Sequence, residues 1–366
     1  MAYTTIDKPK EYHSTTLWTA DDSSPRSLSG FGHRPDWLWG GHRDSGSTNP
    51  NAVDSSRGEN KNLTTATTAA EDSGSHGIID SFDSDGITVS NGTNSSFPRL
   101  YYNRNNPFGG SDGGKYAYWH WRANAGSTSS NSDGSITTTV QANTTAGFSI
   151  VLYTSASGGQ TIGHGLGGKP EFYIIKERGR SGDDWMCYHS YLGAGKKVRL
   201  SGTGAGESDT NIWQNTEPTT TVASLQNDGG AVNQSSGGTG TYLGYFFRSI
   251  KGYSKIGHYQ GNGDADGPFI YLGFKPAWFM TKNITDSGDN WIIVDSARSP
   301  FNVADKGLAA NTGTAEFTDV DFDFLSNGVK CTNATGRHNG GGDQHIFMAF
   351  AENPFVSSKG IPAKAK

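Results

Sequence analysis

The residues best suited to bind an ion form an Asx-rich segment in the last third of the chain. In Asn262-Gly-Asp264-Ala-Asp266-Gly267, oxygen-bearing side chains stand at alternate positions and a glycine follows them. A calcium loop begins this way, because a hard cation needs several oxygens at about 2.4 Å and the glycine permits a sharp turn. The twelfth position is Gly273, where the bidentate glutamate of such a loop belongs. Asn262, Asp264 and Asp266 are therefore candidate calcium ligands, and an ordinary Asx-rich turn is the alternative. No other cofactor is expected.

Four aromatic residues are candidate ligand contacts. Trp18, Trp213, Tyr101 and Tyr102 lie beside polar or glycine-rich stretches and do not recur at a fixed spacing. Aromatic rings on loops are common contacts for a sugar face or a protein partner. We take these four as ligand-binding candidates, with packing in the core as the alternative.

Two other patterns resemble catalytic motifs, and each has a simpler structural explanation. Gly163–Lys169 matches the first seven positions of a phosphate-binding loop, but Pro170 stands where Ser or Thr must bind magnesium. Asp83 and Asp85 suggest glycoside hydrolysis, which needs two carboxylates facing each other across a cleft. Their sequence, Asp-Ser-Asp-Gly, is typical of a turn. We therefore predict no catalytic residue and no enzyme.

The elements that must position these residues follow an internal repeat. Three segments carry a proline, one variable residue and an aromatic residue that opens an apolar run, at Pro35, Pro170 and Pro276. A polar residue follows each proline by 19 residues: Asp54, His189 and Asp295. Because this position accepts both a carboxylate and an imidazole, we predict a structural hydrogen bond there. The constant spacing predicts three tandem copies.

Short apolar runs within each copy predict β-strands. They are about four to six residues long and rich in aromatic and β-branched residues. The chain has 51 glycines among 366 residues, which disfavours long helices, and residues 64–71 are the best helical window. We predict an all-β protein of three tandem β-sandwich domains, jelly-roll or concanavalin-like, related by the repeat.

The copies and the composition between them suggest the domain boundaries. They are 1–123 for the first sandwich with an N-terminal arm, 124–146 for a Ser/Thr/Asn/Gly linker, 147–250 for the second sandwich, 251–356 for the third and 357–366 for a C-terminal tail.

Charge and composition exclude several classes of protein. The net charge is −5 and no run of Lys or Arg exceeds a pair, which disfavours nucleic-acid binding. No apolar run approaches the ~18 residues that a membrane helix needs, so we expect no membrane insertion. Two cysteines cannot form a disulfide framework, and no signal peptide is legible at the start. We expect synthesis in a cytoplasm without secretion.

Several motifs together resemble an uncharacterised repeat-domain family of marine bacteriophage virion proteins. They lie at residues 147–154 (GFSIVLYT), 163–167 (GHGLG), 184–190 (DWMCYHS), 252–255 (GYSK), 267–278 (GPFIYLGFKPAW) and 349–355 (AFAENPF). The resemblance implies a non-enzymatic virion protein, either a capsid decoration or appendage or a tail-fibre component. It transfers no catalytic residue, because the family has none established.

The resemblance also implies partners and location. We expect other virion proteins as partners, a homo-oligomer with a trimer favoured, and residence in the virion after synthesis in the host cytoplasm. A host surface glycan is a further expected partner under the alternative function, a carbohydrate-binding module for host adhesion. A polysaccharide depolymerase is the least favoured alternative.

Overall fold

The structure, a computed structural model, describes residues 3–44, 46, 48–105, 114–226, 230–234 and 239–362. It is 41% strand and 2% helical, which confirms the predicted all-β class. The helices among the described residues are a 3-10 turn at Pro9–Glu11 and the one-turn helix α1 at Gly336–Asn339. No helix in the described part of the chain is long and apolar enough to span a membrane.

The first copy forms two antiparallel sheets. Its strands are β1 (His13–Thr19), β2 (Arg26–Ser29), β3 (Trp37–His42), β4 (Asn51–Asp54), β5 (Leu63–Thr64), β6 (Ile78–Asp83), β7 (Gly86–Ser90) and β8 (Lys115–Trp121). The larger sheet has the order β1-β8-β3-β4-β5 and the smaller one β2-β7-β6.

The second copy forms an eight-stranded and a two-stranded sheet. Its strands are β9 (Ser129–Asn131), β10 (Thr138–Asn143), β11 (Phe148–Thr154), β12 (Gln160–Gly163), β13 (Phe172–Glu177), β14 (Met186–His189), β15 (Lys196–Arg199), β16 (Glu207–Ser208), β17 (Val222–Leu225) and β18 (Thr241–Phe247). The orders are β16-β15-β14-β13-β18-β11-β10-β9 and β12-β17.

The third copy repeats the arrangement of the first. Its strands are β19 (Ser254–Gln260), β20 (Phe269–Tyr271), β21 (Phe274–Asn283), β22 (Ile292–Asp295), β23 (Leu308–Ala309), β24 (Phe322–Leu325), β25 (Gly328–Cys331) and β26 (Gln344–Pro354). The orders are β19-β26-β21-β22-β23 and β20-β25-β24. The same five-strand order appears in the second copy as β11-β18-β13-β14-β15.

Each large sheet has two buried faces, and strand alternation decides which side chain lies on which face. In β3, Leu38 packs with β2, β6 and β7 in the first copy's own core, whereas Trp37 and Trp39 point to the opposite side. On that opposite side the three copies share one aromatic cluster, which we call the central core. It includes Trp37, Trp119, Trp121, Phe148, Tyr245, Phe247, Trp278, Trp291 and Phe350.

Ring contacts in the central core join every pair of copies. The centroids of Trp37 and Tyr245 are 4.2 Å apart, and those of Trp121 and Trp278 are 5.6 Å apart. Phe247 contacts Phe350 at 6.3 Å between centroids, edge to face. Buried aromatic area of this size dominates core energetics, so the copies stabilise one another.

Two sequence-based expectations are wrong. The supposed linker, 124–146, contains β9 and β10, and Ile136 and Val140 are buried in the second copy's core. Ser129, Ser130 and Thr139 are exposed on these strands, whereas the polar residues Thr138 and Gln141 are buried. Residues 64–71 form no helix, because strand pairing and contacts with other copies outweigh helix propensity there. The N-terminal arm is docked, with Ile6 buried in the central core.

Candidate functional site

The candidate calcium ligands form a hydrogen-bonded turn. Asn262 Oδ1 accepts from the backbone N–H of Asp264 at 3.0 Å, and Asp264 Oδ1 accepts from that of Asp266 at 2.9 Å. The exposed carboxylate of Asp266 pairs with Lys330 at 2.6 Å, and this pair lowers the pKa of the carboxyl group. No group of three or more His, Cys, Asp or Glu side chains in the described ranges is placed to hold a metal. The hydrogen bonds of Asn262 and Asp264 are those of an Asx-rich turn.

The four candidate aromatic contacts are in the interior, which corrects their placement on surface loops. Trp18, Trp213, Tyr101 and Tyr102 are at most 9% exposed. Trp18 stacks on Tyr116 and donates its indole N–H to the carbonyl of Tyr102 at 2.7 Å. Trp213 donates to the carbonyl of Lys196 at 3.0 Å. A sugar ring could reach these rings only by opening the core. Trp18 also occupies the same strand position as Tyr153 and Tyr259, so its aromatic character does recur in all three copies.

The recurring polar position caps a turn in all three copies. Asp54 Oδ1 accepts from the backbone N–H of Ser56 at 3.1 Å, and Asp295 Oδ1 accepts from that of Ala297 at 3.2 Å. In the second copy, His189 Nδ1 accepts from the N–H of Tyr191 at 3.1 Å. The imidazole nitrogen and the carboxylate oxygens all accept a hydrogen bond from the backbone N–H two residues later. This confirms the predicted structural hydrogen bond and explains why both residue types occur at the position.

The two aspartates also reach across to a neighbouring copy. Tyr245 Oη donates to Asp54 Oδ2 at 2.8 Å, and Trp119 Nε1 donates to Asp295 Oδ2 at 3.0 Å. Burial raises the pKa of Tyr245 well above its ordinary value and the charge of Asp54 adds to this effect, so the phenol stays protonated as a donor. In β26, Met348 occupies the strand position of Tyr245 and Trp119, and its side chain has no N–H or O–H to donate. The second copy has His189 in place of the aspartate, and a neutral imidazole does not require such a donor.

Each of the two aspartates binds a buried arginine, and this arginine belongs to an Arg–Glu–Arg triad that joins two copies. Arg57 binds Asp54 Oδ2 through Nε at 2.5 Å and Glu71 through Nη1 at 3.0 Å. Arg178 of the second copy contacts the same Glu71 at 3.3 Å. Burial opposes the charge of Arg57, but Asp54 and its other anionic neighbours raise its pKa. The guanidinium therefore stays charged.

The same triad occurs between the third copy and the first. Arg298 binds Asp295 at 2.6 Å and Glu316 at 3.4 Å, and Arg43 binds Glu316 at 2.9 Å. The repeated motif Asp-Ser-x-Arg, at 54–57 and 295–298, is the sequence signal that relates Arg57 to Arg298. It gave no sign of the glutamates, because these stand at different distances from their prolines and reach the arginines only through folding.

At the interface of the second copy with the third, apolar residues replace the triad. Leu192 is at the same repeat position as Arg57 and Arg298, counted from the proline of each copy. Ile284 is likewise at the repeat position of Arg43 and Arg178. Gly206 donates its N–H to the carbonyl of Ile284 at 3.0 Å, the same backbone bond that Glu71 makes to Arg178 and Glu316 makes to Arg43. The backbone geometry is thus shared by all three interfaces, and only the side-chain chemistry differs.

Indole and hydroxyl groups complete the cycle at the sheet edges. Trp185 donates to the carbonyl of Thr64 at 3.0 Å, which links the second copy to the first. Trp291 donates to the carbonyl of Arg199 at 2.9 Å, which links the third copy to the second. Thr65 donates to the carbonyl of Ala310 at 2.6 Å and links the first copy to the third. Each copy therefore contacts both others. The first two links use equivalent tryptophans, and the third comes from Thr65 because Pro50 stands at the tryptophan position of the first copy.

An aromatic cleft opens where the N-terminal segment crosses the third copy; we call it the Tyr3–Tyr271 cleft. It encloses about 370 Å³. The residues that give it chemical character are Tyr3, Glu171, Lys251, Lys255 and Tyr271. No sequence pattern predicts a site here, because the cleft is assembled from separate segments of the chain.

Fixed contacts shape this cleft before any ligand binds. Tyr3 Oη donates to the carbonyl of Gly273 at 2.7 Å, and burial and the hydrogen bond with Tyr271 raise the pKa of Tyr3 to about 12. Gly273 has a φ of +80°, and a Cβ there would lie 2.9 Å from Tyr3 Oη, so a larger residue would displace the ring. The Nζ of Lys255 donates to the carbonyl of Tyr271 at 2.6 Å.

The fold and these contacts define the class of protein: an all-β protein of several antiparallel sheets whose repeated units share one aromatic core. Within that class the chain belongs to the family described as Domain of unknown function (DUF7483), whose model matches residues 8–354. Comparisons with curated proteins and with solved structures found no match.

Proposed function

We propose that the chain is a non-enzymatic structural protein of a bacteriophage virion, acting as a capsid decoration or appendage or as a tail-fibre component. The observation that carries the proposal is the cycle of contacts between copies. Among the recurrent buried polar residues, Asp54 and Asp295 each accept a hydrogen bond from a neighbouring copy. Arg57 and Arg298 bind the glutamates of their own copies, which in turn bind an arginine of the neighbouring copy. Such use of the repeated polar positions suits an architectural part, and the resemblance in sequence motifs supports the same role.

The proposal includes the arrangement of domains and partners. We propose that each large sheet with its small sheet is one sandwich domain of jelly-roll or concanavalin-like topology. Partners are then other virion proteins and further copies of this chain, with a trimer as the favoured assembly. Sedimentation velocity at micromolar concentration tests the assembly, since a monomer alone would contradict self-association in solution.

Adhesion to a host glycan is the second candidate function, and the Tyr3–Tyr271 cleft favours it. Sugar-binding clefts combine an exposed aromatic ring with a few polar groups, and Tyr271 is 51% exposed beside two lysines and a glutamate. This function is compatible with residence in the virion.

Immunogold labelling of purified phage particles tests the virion proposal. An antibody against the full chain is expected to mark a fixed site on the capsid or the tail. Mass spectrometry of the same particles is expected to find the chain at stoichiometric level. Its absence from gradient-purified particles by both measurements would contradict the proposal.

A further inference from the structure

We infer that the Tyr3–Tyr271 cleft binds an oligosaccharide that contains a uronic acid, with a sugar ring on Tyr271 and the sugar carboxylate beside the lysines. The inference rests on the second candidate function, glycan adhesion, and names its site and the chemical class of its ligand.

The size of the cleft and its aromatic ring suit a sugar. About 370 Å³ lies within the range of small-molecule sites, at the lower end where one or two sugar rings fit. Tyr271 is 51% exposed, whereas its neighbour on β20, Ile270, is 5% exposed and buried in the third copy's core. The strand therefore holds the Tyr271 ring at the surface, where the apolar face of a sugar can pack on it.

Lysine and tyrosine contacts restrict the cleft before a ligand binds. Lys255 Nζ donates to the Tyr271 carbonyl at 2.6 Å and lies 5.3 Å from the centroid of the Tyr271 ring. Tyr3, the other ring of the cleft, is fixed by its bond to Gly273. Binding then loses little side-chain freedom, which favours affinity.

The charges of the cleft favour an anionic ligand. Lys251 Nζ lies 4.7 Å from the centroid of the Tyr3 ring, and Lys255 supplies a second ammonium group. The one carboxylate among the lining residues, Glu171, accepts a bond from the backbone N–H of Ser249 at 2.5 Å. The cleft thus carries one net positive charge on a chain whose net charge is −5. An ammonium group beside an aromatic ring matches a sugar whose ring stacks and whose carboxylate projects from the edge.

Saturation-transfer NMR and titration calorimetry on the full chain test this inference. The probes are trigalacturonate, trimannuronate and the methyl esters of both, which keep the rings and remove the charge. We expect at least one acid trimer to bind at millimolar concentration or tighter, and its ester to bind about tenfold more weakly. We also expect binding of the acid to weaken in high salt.

Variants locate the binding. Tyr271→Ala is expected to weaken binding of the acid trimer about tenfold, and Lys251→Gln is expected to abolish the preference for acid over ester. Tyr271→Phe keeps the ring and should retain binding. Circular dichroism of Tyr271→Ala should match that of the wild type, which separates loss of the ring from misfolding. The matched controls are Phe269→Ala, an exposed ring on the same strand outside the cleft lining, and Lys115→Gln, an exposed lysine of the first copy. Both should bind as the wild type does.

Three results would overturn the inference: no binding of either acid trimer, equal binding of acid and ester, or unchanged binding by Tyr271→Ala. Failure here is distinct from failure of the proposed functions. Binding of neutral trisaccharides that is unaffected by Tyr271→Ala would leave adhesion intact at another site, and immunogold labelling reports the virion location independently.

Discussion

At the scale of single residues, the buried arginines hold charges that have no access to water. Arg298 has no exposed side-chain surface and neutralises Asp295. Removing one partner of a buried ion pair leaves an uncompensated charge, whereas an apolar contact in the same place can be equally stable. The chain contains both solutions, since Leu192 occupies the arginine position at the interface without a triad.

Arg298→Met is therefore expected to lower the free energy of unfolding by about 3–5 kcal/mol, because Asp295 would remain buried without its cation. Urea denaturation at neutral pH measures the loss. The matched control is Leu192→Met at the equivalent position, a volume-conserving change expected to cost less than about 1.5 kcal/mol. Equal losses in the two variants would show that the ion pair does not hold this interface.

Buried histidines make stability depend on pH. Burial lowers the pKa of His33 and of His345 to about 4 and that of His338 to about 3. The unfolded chain, with histidine pKa values near ~6.5, binds more protons than the folded one between these limits. Stability is therefore lost as the pH falls from about 6.5 towards 4, by up to about 1.4 kcal/mol per pH unit for each histidine.

His345→Phe tests this dependence without breaking a hydrogen bond. The imidazole stacks on Tyr259 at 4.9 Å, and neither ring nitrogen has a hydrogen-bond partner among the described residues. We expect the variant to be at least as stable as the wild type at pH 7 and to lose less stability at pH 5, by denaturant titration at both values. His258→Gln, at an exposed position, should change the pH slope less. A larger effect of His258→Gln would refute this explanation.

At the scale of elements, the close approach of β3 to β8 depends on Gly40. A Cβ at this position would lie 2.1 Å from the carbonyl oxygen of Ala117 and 2.7 Å from Cα of Tyr118. Both obstacles are backbone atoms of the paired strand, so no side-chain rotation can relieve the overlap. The glycines that punctuate the apolar runs thus include some that are required within strands.

Gly40→Ala is expected to destabilise the protein by about 3 kcal/mol or more, because the two strands must separate. Gly336→Ala is the matched control, since a Cβ there meets nothing within 4 Å. Thermal melts followed by circular dichroism compare the two variants. A Gly40→Ala midpoint equal to that of the control would show that β3 and β8 can shift apart freely.

At the scale of the whole molecule, the central core makes the copies interdependent. A fragment of residues 124–356, which keeps β9 and β10 of the second copy, would expose Tyr245, Phe247 and Trp278 on the face that the first copy covers. It would also leave Asp295 without Trp119. We expect this fragment to bind an apolar dye and to melt at lower temperature and less cooperatively than the full chain. A monomeric fragment with a sharp transition near the full-chain midpoint would instead support independent folding, as the repeat spacing alone suggests.

The amino-acid sequence by itself determined the features that depend on neighbouring residues and on regular spacing. Strand type follows from apolar runs such as β11 and β22, the three copies follow from a constant offset, and the structural role of Asp54, His189 and Asp295 follows from their interchange. Each of these signals is either contained in one short segment or repeated at the same offset in each copy.

Only the tertiary structure decided which segments meet. It placed Trp18 and Trp213 in the interior, turned an apparent linker into two strands, and brought Glu71 to Arg57 and Tyr3 to Tyr271. A tryptophan in a glycine-rich stretch has the same sequence context whether its ring is covered by a sheet or exposed to water. Burial and ion pairing arise from contacts between distant parts of the chain, and a single sequence carries no local mark of them.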